Sequence, residues 1–234
     1  MSALRVLVIV PAHDEEASLP RTLAELRSAA PGVDVLVVDD GSEDGTSRIA
    51  RESGAVLIRH AVNLGVGGAL QTGFCWAYAR GYDIGVQLDA DGQHDPRFLD
   101  AVLAPIRAGR CNVSIGSRYV SHSAYRAPVH RRIGMLFFSG LVRLALGRRI
   151  ADTTSGFRAY DRAVMEVCRR DFPKDFPDAP LLIQLARRGF VFQEVPVEMR
   201  ERTAGRSFYT LGKQIYYPYK NLLASLMALI QRSA

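Results

Sequence analysis

Short apolar segments alternate with helix-patterned segments in the first half of the chain, and this alternation restricts the fold more than any other feature. The apolar segments are rich in Val, Ile and Leu, as is typical of strands buried on both faces. Such alternation produces a parallel sheet with right-handed crossovers and helices on both faces. We predict strands at 5–10, 33–38, 55–59, 84–88 and 112–115, and helices at 18–30, 46–53, 69–80 and 97–108.

The second half of the chain has a less regular pattern. It contains an apolar helical stretch at 130–147, a polar loop at 152–158, helices predicted at 161–169 and 180–188, and short strands at 190–195 and 197–199, separated by Pro196. The sequence shows neither an internal repeat nor a low-complexity linker. We therefore predict one α/β domain over residues 1–210, followed by an amphipathic tail helix over 211–234.

Polar loops follow most of the predicted strands. Ligands of a parallel α/β sheet bind beyond the carboxyl ends of its strands, so these loops are expected to meet at one edge. Residues 63–68 are predicted as a glycine-rich turn. They lack the lysine of a phosphate-binding loop, so their glycines indicate close backbone packing. The loops expected at the shared edge are 11–15, 39–46, 89–95 and 116–118.

Asp89 and Asp91 follow the fourth predicted strand, and Gly92 then permits a tight backbone turn. Two carboxylates at a strand end suit Mg²⁺ or Mn²⁺, which are hard cations that keep open positions for water and phosphate oxygens. A metal held there can neutralise a diphosphate leaving group. The simpler alternative is an acidic turn that only caps the helix beginning near Pro96.

A second acidic pair, Asp39 and Asp40, ends the second predicted strand. A turn with a helix cap is again the simpler alternative. Two adjacent carboxylates after a buried strand exceed what a cap needs, which favours a functional role. Histidines are not predicted as metal ligands, because His13 and His94 lack a partner at ligand spacing.

Six motifs, taken in order, resemble those of the family 2 glycosyltransferases with the GT-A fold. The likeness covers roughly residues 5–207 and is greatest to the polyprenyl-phosphate mannosyl- and glucosyltransferases, typified by the dolichol-phosphate mannose synthases. It implies an α/β GT-A fold, with a Rossmann-like, mostly parallel sheet flanked by helices and with peripheral C-terminal helices. The motifs are Pro11-Ala12-His13-Asp14-Glu15, Val38 to Thr46, Asn63-Leu64-Gly65, Asp89 to His94, Gly116-Ser117-Arg118 and Asp152 to Arg158.

The resemblance also implies roles for particular residues. Asp89, Asp91 and Arg118 would be catalytic, and the metal, Mg²⁺ or Mn²⁺, would be held by Asp89, Asp91 and Gln93. The acceptor phosphate would meet Arg118, with Arg131 or Arg132 as a second contact. The nucleotide sugar would contact Pro11, Ala12, His13, Glu15, Val38, Asp39, Asp40, Ala90, Gln93, Arg202 and Ser207.

The implied reaction is inverting transfer of mannose or glucose from a GDP-mannose- or UDP-glucose-type donor to a polyprenyl phosphate. Such a transfer breaks a C–O bond to a diphosphate, so metal and arginine charges would lower the barrier. A phosphate acceptor is already an anion at pH 7, which makes a strong general base dispensable. Two alternatives stay open: a glycan acceptor, and a nucleotide-sugar-binding subunit without turnover.

A formal net charge of +6 suits anionic partners such as nucleotide diphosphates, lipid phosphates and an anionic membrane surface. The sequence has no nucleic-acid recognition motif. Cysteines without ligand spacing indicate a reduced, cytoplasmic protein. No apolar stretch reaches the ~20 residues of a spanning helix. The helices at 133–147 and 222–230 are therefore expected to lie on the cytoplasmic face of the membrane or on a small membrane protein, or simply to cover the sheet.

Overall fold

The computed structural model describes residues 4–120, 140, 150–173, 178–200, 223–225 and 227. Its strands are β1 (Val6–Ala12), β2 (Asp34–Asp39), β3 (Val56–Arg59), β4 (Ile84–Gln87), β5 (Val113–Ser117), β6 (Arg158–Asp161) and β7 (Phe192–Pro196). Its helices are α1 (Leu19–Ala29), α2 (Thr46–Glu52), α3 (Gly65–Ala79), α4 (Leu99–Arg107), α5 (Arg162–Arg170) and α6 (Ala179–Arg187). A 3₁₀ turn, Pro96–Phe98, precedes α4. The predicted alternation of the first half is confirmed.

These strands form one mixed sheet in the order β3-β2-β1-β4-β6-β5-β7. Neighbouring strands are parallel except at β6, which runs antiparallel to β4 on one side and to β5 on the other. The predicted α/β class with a mostly parallel sheet is confirmed. The prediction of a plain polar loop through residue 158 is wrong, because β6 begins there. Its four residues, Arg158 to Asp161, lack the apolar run that marks the other strands.

Alternate strand side chains enter two apolar layers, one on each face of the sheet. On one face Leu7 and Ile9 pack with residues of α3, α5 and α6. On the other face Val8 and Val10 pack with residues of α1 and α4. α3 approaches β1 closely at Gly73, where a Cβ would lie only 2.3 Å from Ile9 Cγ2. The sheet is therefore covered on both faces, as the buried strands predict.

Three further boundaries differ from the prediction. Residues 65–68 are not a turn, because α3 already begins at Gly65. β5 continues through Ser117, so only Arg118 follows the strand directly. Of the two strands predicted on either side of Pro196, only the first forms, as β7, which ends at Pro196. Residues 197–199 are not a strand, although Met199 forms an isolated bridge with His94. Proline is tolerated there because β7 lies at the edge of the sheet, where its missing N–H leaves no neighbour unpaired.

All of the predicted helix at 130–147 except residue 140, which is helical, and most of the predicted tail at 211–234 lie outside the described residues. Residues 223–225 and 227 are helical. Leu223 and Met227 on this helix are about half exposed, whereas Ser225 is buried. Over the ranges given above, none of the helices has both the length and the apolar character needed to cross a membrane.

Candidate active site

The carboxyl ends of β1, β2, β4 and β5 lie at one edge of the sheet, together with the start of the antiparallel β6. Hydrogen bonds tie the loops at this edge to their neighbours. The Asp40 N–H donates to the Ala12 carbonyl at 2.8 Å, and the Thr22 hydroxyl donates to the Ala90 carbonyl at 3.1 Å. The predicted meeting of the polar loops at one edge is confirmed.

The loops after β1 and β2 are joined by reciprocal hydrogen bonds. The Asp14 N–H donates to the Ser42 hydroxyl (3.0 Å), and the Glu43 N–H donates to Asp14 Oδ1 (2.8 Å). The Glu15 N–H donates to the Thr46 hydroxyl (2.9 Å), and the Glu15 side chain is itself buried. These contacts hold Asp14 in the left-handed region, with φ of 52°. The loops after β1 and β2 are therefore held together on one side of the site.

The predicted nucleotide contacts on β1 and β2 differ in accessibility. Pro11 is partly exposed near the end of β1, whereas Ala12 and Val38 are buried. Contacts of a nucleotide with Ala12 and Val38 stay predictions, because these residues are only 3% and 0% exposed. His13 is partly exposed, and its Nδ1–H donates to the Asp40 carbonyl at 3.0 Å.

The carboxylate of Asp39 is fully buried and is used inside the protein. It accepts hydrogen bonds from the Ser42 N–H (2.8 Å) and from the Ser47 hydroxyl, and Arg59 Nε lies 3.8 Å away. Burial alone would raise the pKa of Asp39, but the hydrogen bonds from Ser42 and Ser47 outweigh burial and lower the pKa. Asp39 is therefore an anion that holds the start of the loop after β2.

Both carboxylate oxygens of Asp40 are also engaged. Oδ1 accepts from the Leu64 N–H (2.9 Å) and from His60 Nδ1–H (2.7 Å), and Oδ2 accepts from the Gly65 N–H (2.7 Å). The carboxylate thereby caps α3, whose first N–H groups lack helical partners. The turn-and-cap alternative accounts for Asp40, with α3 as the capped helix. A contact from Asp40 to a base or ribose stays a prediction.

Asp89 and Asp91 are held differently. The side chain of Asp89 is 37% exposed although it follows a buried strand. Asp91 Oδ1 accepts from the Gln93 N–H (3.0 Å) in a tight turn where Gly92 has φ of 75°. The helical turn that follows is capped by Asp95, whose carboxylate accepts a backbone N–H at 3.0 Å. The capping alternative is therefore wrong for Asp89 and Asp91, because Asp95 has that role.

This acidic turn, residues 89–95, offers oxygen donors for a divalent cation. They are the carboxylates of Asp89 and Asp91 and the side-chain amide of Gln93. Among the described residues, no three or more His, Cys, Asp and Glu side chains are grouped closely enough to hold a metal. Mg²⁺ and similar hard cations are commonly bound by one or two carboxylates, with substrate phosphates completing the coordination. The donor set therefore fits the predicted Mg²⁺ or Mn²⁺.

His94 is buried beside Asp89. Its Nδ1 accepts a hydrogen bond from the Asp89 N–H (3.1 Å), and its Nε2 lies 3.7 Å from Asp89 Oδ2. Burial lowers the pKa of His94 to about 4, against the opposing effect of the Asp91 charge, so the ring is neutral at pH 7. A neutral ring that accepts at Nδ1 carries its proton on Nε2.

Arg118 follows β5 directly and forms a two-pronged ion pair with Asp152. Its Nε donates to Asp152 Oδ2 (2.8 Å), and its Nη2 donates to Asp152 Oδ1 (2.7 Å) and to the Thr154 hydroxyl (2.9 Å). Asp152 is fully buried, and its own N–H donates to Glu194 Oε1 at 2.9 Å. The guanidinium is thus fixed at the sheet edge, and its contact with an acceptor phosphate stays a prediction.

Asp152, Gly156 and Glu194 shape the site but are not predicted as site residues. A Cβ on Gly156 would lie 2.6 Å from Asp89 Oδ2, so the loop before β6 packs directly on the Asp89 carboxylate. The motif at 152–158 is the sequence signal that could have identified Asp152 and Gly156. Nothing in the sequence singles out Glu194, because the groups it binds are backbone N–H groups of Ala151 and Asp152.

The chain just before the predicted diphosphate contacts is fixed to the acidic turn. The Arg200 N–H donates to the Gln93 carbonyl (2.9 Å). The Arg200 guanidinium lies 2.8 Å from Asp95 Oδ2 and 2.6 Å from Glu25 Oε2. The predicted site residues that lie outside the described ranges, and whose contacts stay predictions, are Arg131, Arg132, Arg202 and Ser207.

Comparison with protein families agrees with this geometry. Residues 7–169 match the family described as "Glycosyl transferase family 2". The chain belongs to this family. The match runs from β1 into α5 and therefore includes the acidic turn, Arg118 and the loop before β6. The resemblance inferred from the six motifs, and the activity class of glycosyltransferase, are confirmed.

Relatives of this glycosyltransferase cover most of its length. An undecaprenyl-phosphate mannosyltransferase from Micrococcus luteus is 37% identical, over 87% of this chain and 87% of the relative. A polyprenol monophosphomannose synthase from Mycolicibacterium smegmatis is 37% identical, over 87% of this chain and 80% of the relative. The solved UDP complex of glucosyl-3-phosphoglycerate synthase from Mycobacterium tuberculosis covers 99% of this chain and 82% of its own, with a TM-score of 0.71 at 21% identity. That likeness shows the GT-A fold.

Proposed function

We propose that this glycosyltransferase moves a hexose, mannose or glucose, from a nucleoside diphosphate sugar to a polyprenyl phosphate, with inversion at the anomeric carbon. The proposal rests on one observation: the partly exposed Asp89 and the fixed Arg118 lie at the same edge of the sheet. A metal held by carboxylates would neutralise the charge of the diphosphate leaving group. A cationic side chain would bind the acceptor phosphate. Relatives named for mannosyl transfer to polyprenyl or undecaprenyl phosphate support this choice of acceptor.

The donor side of the reaction uses the acidic turn. A bound Mg²⁺ or Mn²⁺ would neutralise charge that develops on the leaving diphosphate. Asp89, Asp91 and Gln93 would hold that ion. Asp91 is oriented by the Gln93 N–H, and Asp89 is confined between His94 and Gly156. Charged groups fixed in advance lower a barrier efficiently, because they need little reorganisation during the reaction.

The acceptor side needs orientation more than proton transfer. A phosphate oxygen that is already an anion attacks the anomeric carbon from the face opposite the diphosphate. The new C–O bond forms as the bond to the diphosphate breaks, and the electron pair leaves with the diphosphate. Arginine suits acceptor capture because its planar fork binds phosphate oxygens in pairs. Asp152 fixes Arg118 through Nε and Nη2. The acceptor phosphate would meet the guanidinium held in this way, with Arg131 or Arg132 beside it.

Donors of the GDP-mannose or UDP-glucose type are the first to test. A glucosyl-3-phosphoglycerate synthase of the same fold was solved with Mn²⁺ and UDP-glucose, which supports Mn²⁺ as the first ion to try. Purified full-length protein is incubated with each labelled donor, with and without a polyprenyl phosphate and Mn²⁺ or Mg²⁺. Label is expected in the organic extract only when donor, lipid and metal are all present, in a β-linked product from an α-linked donor.

Two results would contradict this proposal and favour the open alternatives. Label that enters a glycan and never the lipid would indicate a glycan acceptor. Tight binding of a nucleotide sugar without transfer to any acceptor would indicate a binding subunit.

Peripheral association with the cytoplasmic face of the membrane is part of the proposal. Leu223 and Met227 are four residues apart on a helix, so they lie on the same side, and both are about half exposed. Such an apolar side fits the headgroup region of a bilayer or a small membrane protein. The full chain is expected to float with anionic liposomes in a salt-sensitive manner. A chain without residues 211–234 should stay in solution and still bind nucleotide; flotation of both chains equally would contradict the role of the tail.

A further inference from the structure

His94 contacts Asp89 at two points, through both of its ring nitrogens. Nδ1 accepts the Asp89 N–H at 3.1 Å, and Nε2, which carries the proton in this tautomer, faces Asp89 Oδ2 at 3.7 Å. The first contact fixes the backbone of Asp89, and the second limits where its carboxylate turns. A metal ligand that stands just beyond the end of β4 is therefore controlled at its main chain and at its side chain by one buried ring.

The His94 ring is itself held on several sides. It is only 4% exposed and stacks on Phe157, with ring centroids 5.4 Å apart and planes inclined by 25°. A Cβ added to Gly156 would lie 3.1 Å from His94 Cε1, so the loop before β6 encloses the ring edge. The backbone of His94 also forms an isolated β-bridge with Met199. The ring cannot rotate without disturbing its contacts with Asp89 and with the loop before β6.

We propose that His94 is a positioning residue that sets the orientation of Asp89 for the metal and donor diphosphate. This inference rests on the metal role in the function proposed above. His94 does not ligate the metal, because Nδ1 is engaged by the Asp89 N–H and the ring is buried. It acts through Asp89, in the way that groups hydrogen-bonded to metal ligands tune a site; loss of such partners typically costs about 10–100-fold in metal affinity or activity.

Two substitutions separate positioning from simple packing. His94→Phe keeps a flat buried ring against Phe157 but removes both nitrogens. His94→Asn loses the ring but keeps an acceptor oxygen attached, like Nδ1, to Cγ, where it can receive the Asp89 N–H. Ile183→Ala is the control, because Ile183 is fully buried in the apolar layer on the other face of the sheet and its loss perturbs packing alone.

Mn²⁺ affinity is measured by electron paramagnetic resonance with GDP and, separately, with UDP, and thermal stability is measured on the same samples. We expect His94→Phe to weaken Mn²⁺ binding about 10–100-fold while remaining the more stable variant. His94→Asn should recover most of the Mn²⁺ affinity despite lower stability. Ile183→Ala should lose stability and keep wild-type affinity. Long-range ¹H–¹⁵N spectra of wild type should show a protonated Nε2 and an unprotonated Nδ1.

A structural role alone would rank the two His94 variants in the same order for stability and for Mn²⁺ affinity. That result, wild-type affinity in His94→Phe, or a protonated Nδ1 would overturn the inference. A wild-type protein that binds no Mn²⁺ with either nucleotide would overturn the metal role and this inference with it. Absence of transfer to a polyprenyl phosphate, with Mn²⁺ binding that still depends on His94, would overturn the proposed acceptor and leave the role of His94 supported.

Discussion

The two acidic pairs at the sheet edge look alike in sequence and differ in structure. Asp39-Asp40 and Asp89-Ala90-Asp91 both follow buried strands, β2 and β4, which flank β1. The side chains of Asp39 and Asp40 are 0% and 5% exposed, whereas that of Asp89 is 37% exposed. The first pair is enclosed by the protein, and the second faces a space where a ligand can reach it.

Nearby hydrogen-bond donors explain this difference. The loops around the first pair direct backbone N–H groups, hydroxyls and an imidazole at its carboxylates, including the N–H groups at the start of α3. At the second pair, Asp95 caps the following helical turn. His94 and Gly156 control the position of Asp89. The converging donors account for a structural role of the first pair, and the exposure of Asp89 fits the metal role proposed for the second pair.

Asp91→Ala should have the largest effect and would sharpen this contrast most. Loss of one carboxylate that stabilises the leaving charge is expected to lower the transfer rate by about 10²–10⁴-fold. Stability to urea should change less than transfer, because the Asp91 side chain accepts the Gln93 N–H within its own turn. The matched control is Asp100→Ala, which removes an 81% exposed carboxylate from α4. Full transfer by wild type in the presence of EDTA would contradict the metal assignment.

Arg118→Ala tests whether the part of the sheet edge around the second acidic pair also has a structural role. Removing the guanidinium leaves the buried Asp152 carboxylate without its ion-pair partner, which is expected to cost about 3–5 kcal/mol of unfolding free energy. Transfer should fall much further than donor-nucleotide affinity. Arg107→Ala breaks an exposed pair with Asp100 and should cost under ~1 kcal/mol. Equal losses of nucleotide affinity and transfer would place Arg118 on the donor side.

Asp40→Ala tests the contrast between the two acidic pairs and could contradict it. If Asp40 is mainly a cap, its loss leaves the Leu64 N–H without its acceptor and the Gly65 N–H with Asn63 Oδ1 alone, and costs about 1–3 kcal/mol in urea unfolding. Nucleotide affinity should then fall modestly, as a consequence of loosened loops. Asp40→Asn, which keeps one acceptor oxygen, should fall between wild type and Ala. Unchanged stability together with lost nucleotide binding would make Asp40 a ligand contact, and the two acidic pairs would no longer differ.

Acidification should change stability by no more than Asp40→Ala does, and it concerns the cap beside the second pair. Burial would raise the pKa of Asp95, but hydrogen bonds from Arg97 and Arg200 outweigh it and lower the pKa from 3.8 to about 2. A carboxyl with a lowered folded-state pKa stabilises the protein above its unfolded pKa. That contribution, about 2 kcal/mol, should be lost as pH falls from about 4 to about 2. Urea unfolding of wild type and Asp95→Asn over this range measures it; identical pH slopes would contradict the assignment.

Much of the fold is readable from sequence for a simple reason. Parallel strands covered on both faces are continuous apolar runs, so β1 to β5 are predicted to within a few residues. β6 is different, because its buried residues include Arg158 and Tyr160, which are charged or polar. Tyr160 donates to Gln87 on β4 at 3.3 Å, a pairing that only the folded sheet creates. A strand stabilised by partners distant in sequence carries no local signal.

The site residues also divide into those that sequence motifs mark and those whose partners only the fold provides. The acidic turn and Arg118 are marked by motifs, and the sheet topology confirms that they meet at one edge. The start of α3 at Gly65 is not readable, because glycine disfavours helix and Asp40, in the loop after β2, shares the capping with Asn63. The sequence also does not identify Glu194, because it binds backbone N–H groups, which any sequence would supply. Supporting residues escape prediction since their role depends on partners brought by the fold.

The position of β6 also has a consequence for how the protein is made. β4 ends at Gln87, but its partner in the finished sheet begins at Arg158. At the usual 5–20 residues per second, a ribosome needs roughly 4–14 s to extend the chain between these points. Throughout that interval one edge of β4 is open to incorrect pairing. The loop that encloses Asp89 and anchors Arg118 emerges only with β6, so a nascent chain completes the enclosure of the acidic turn late.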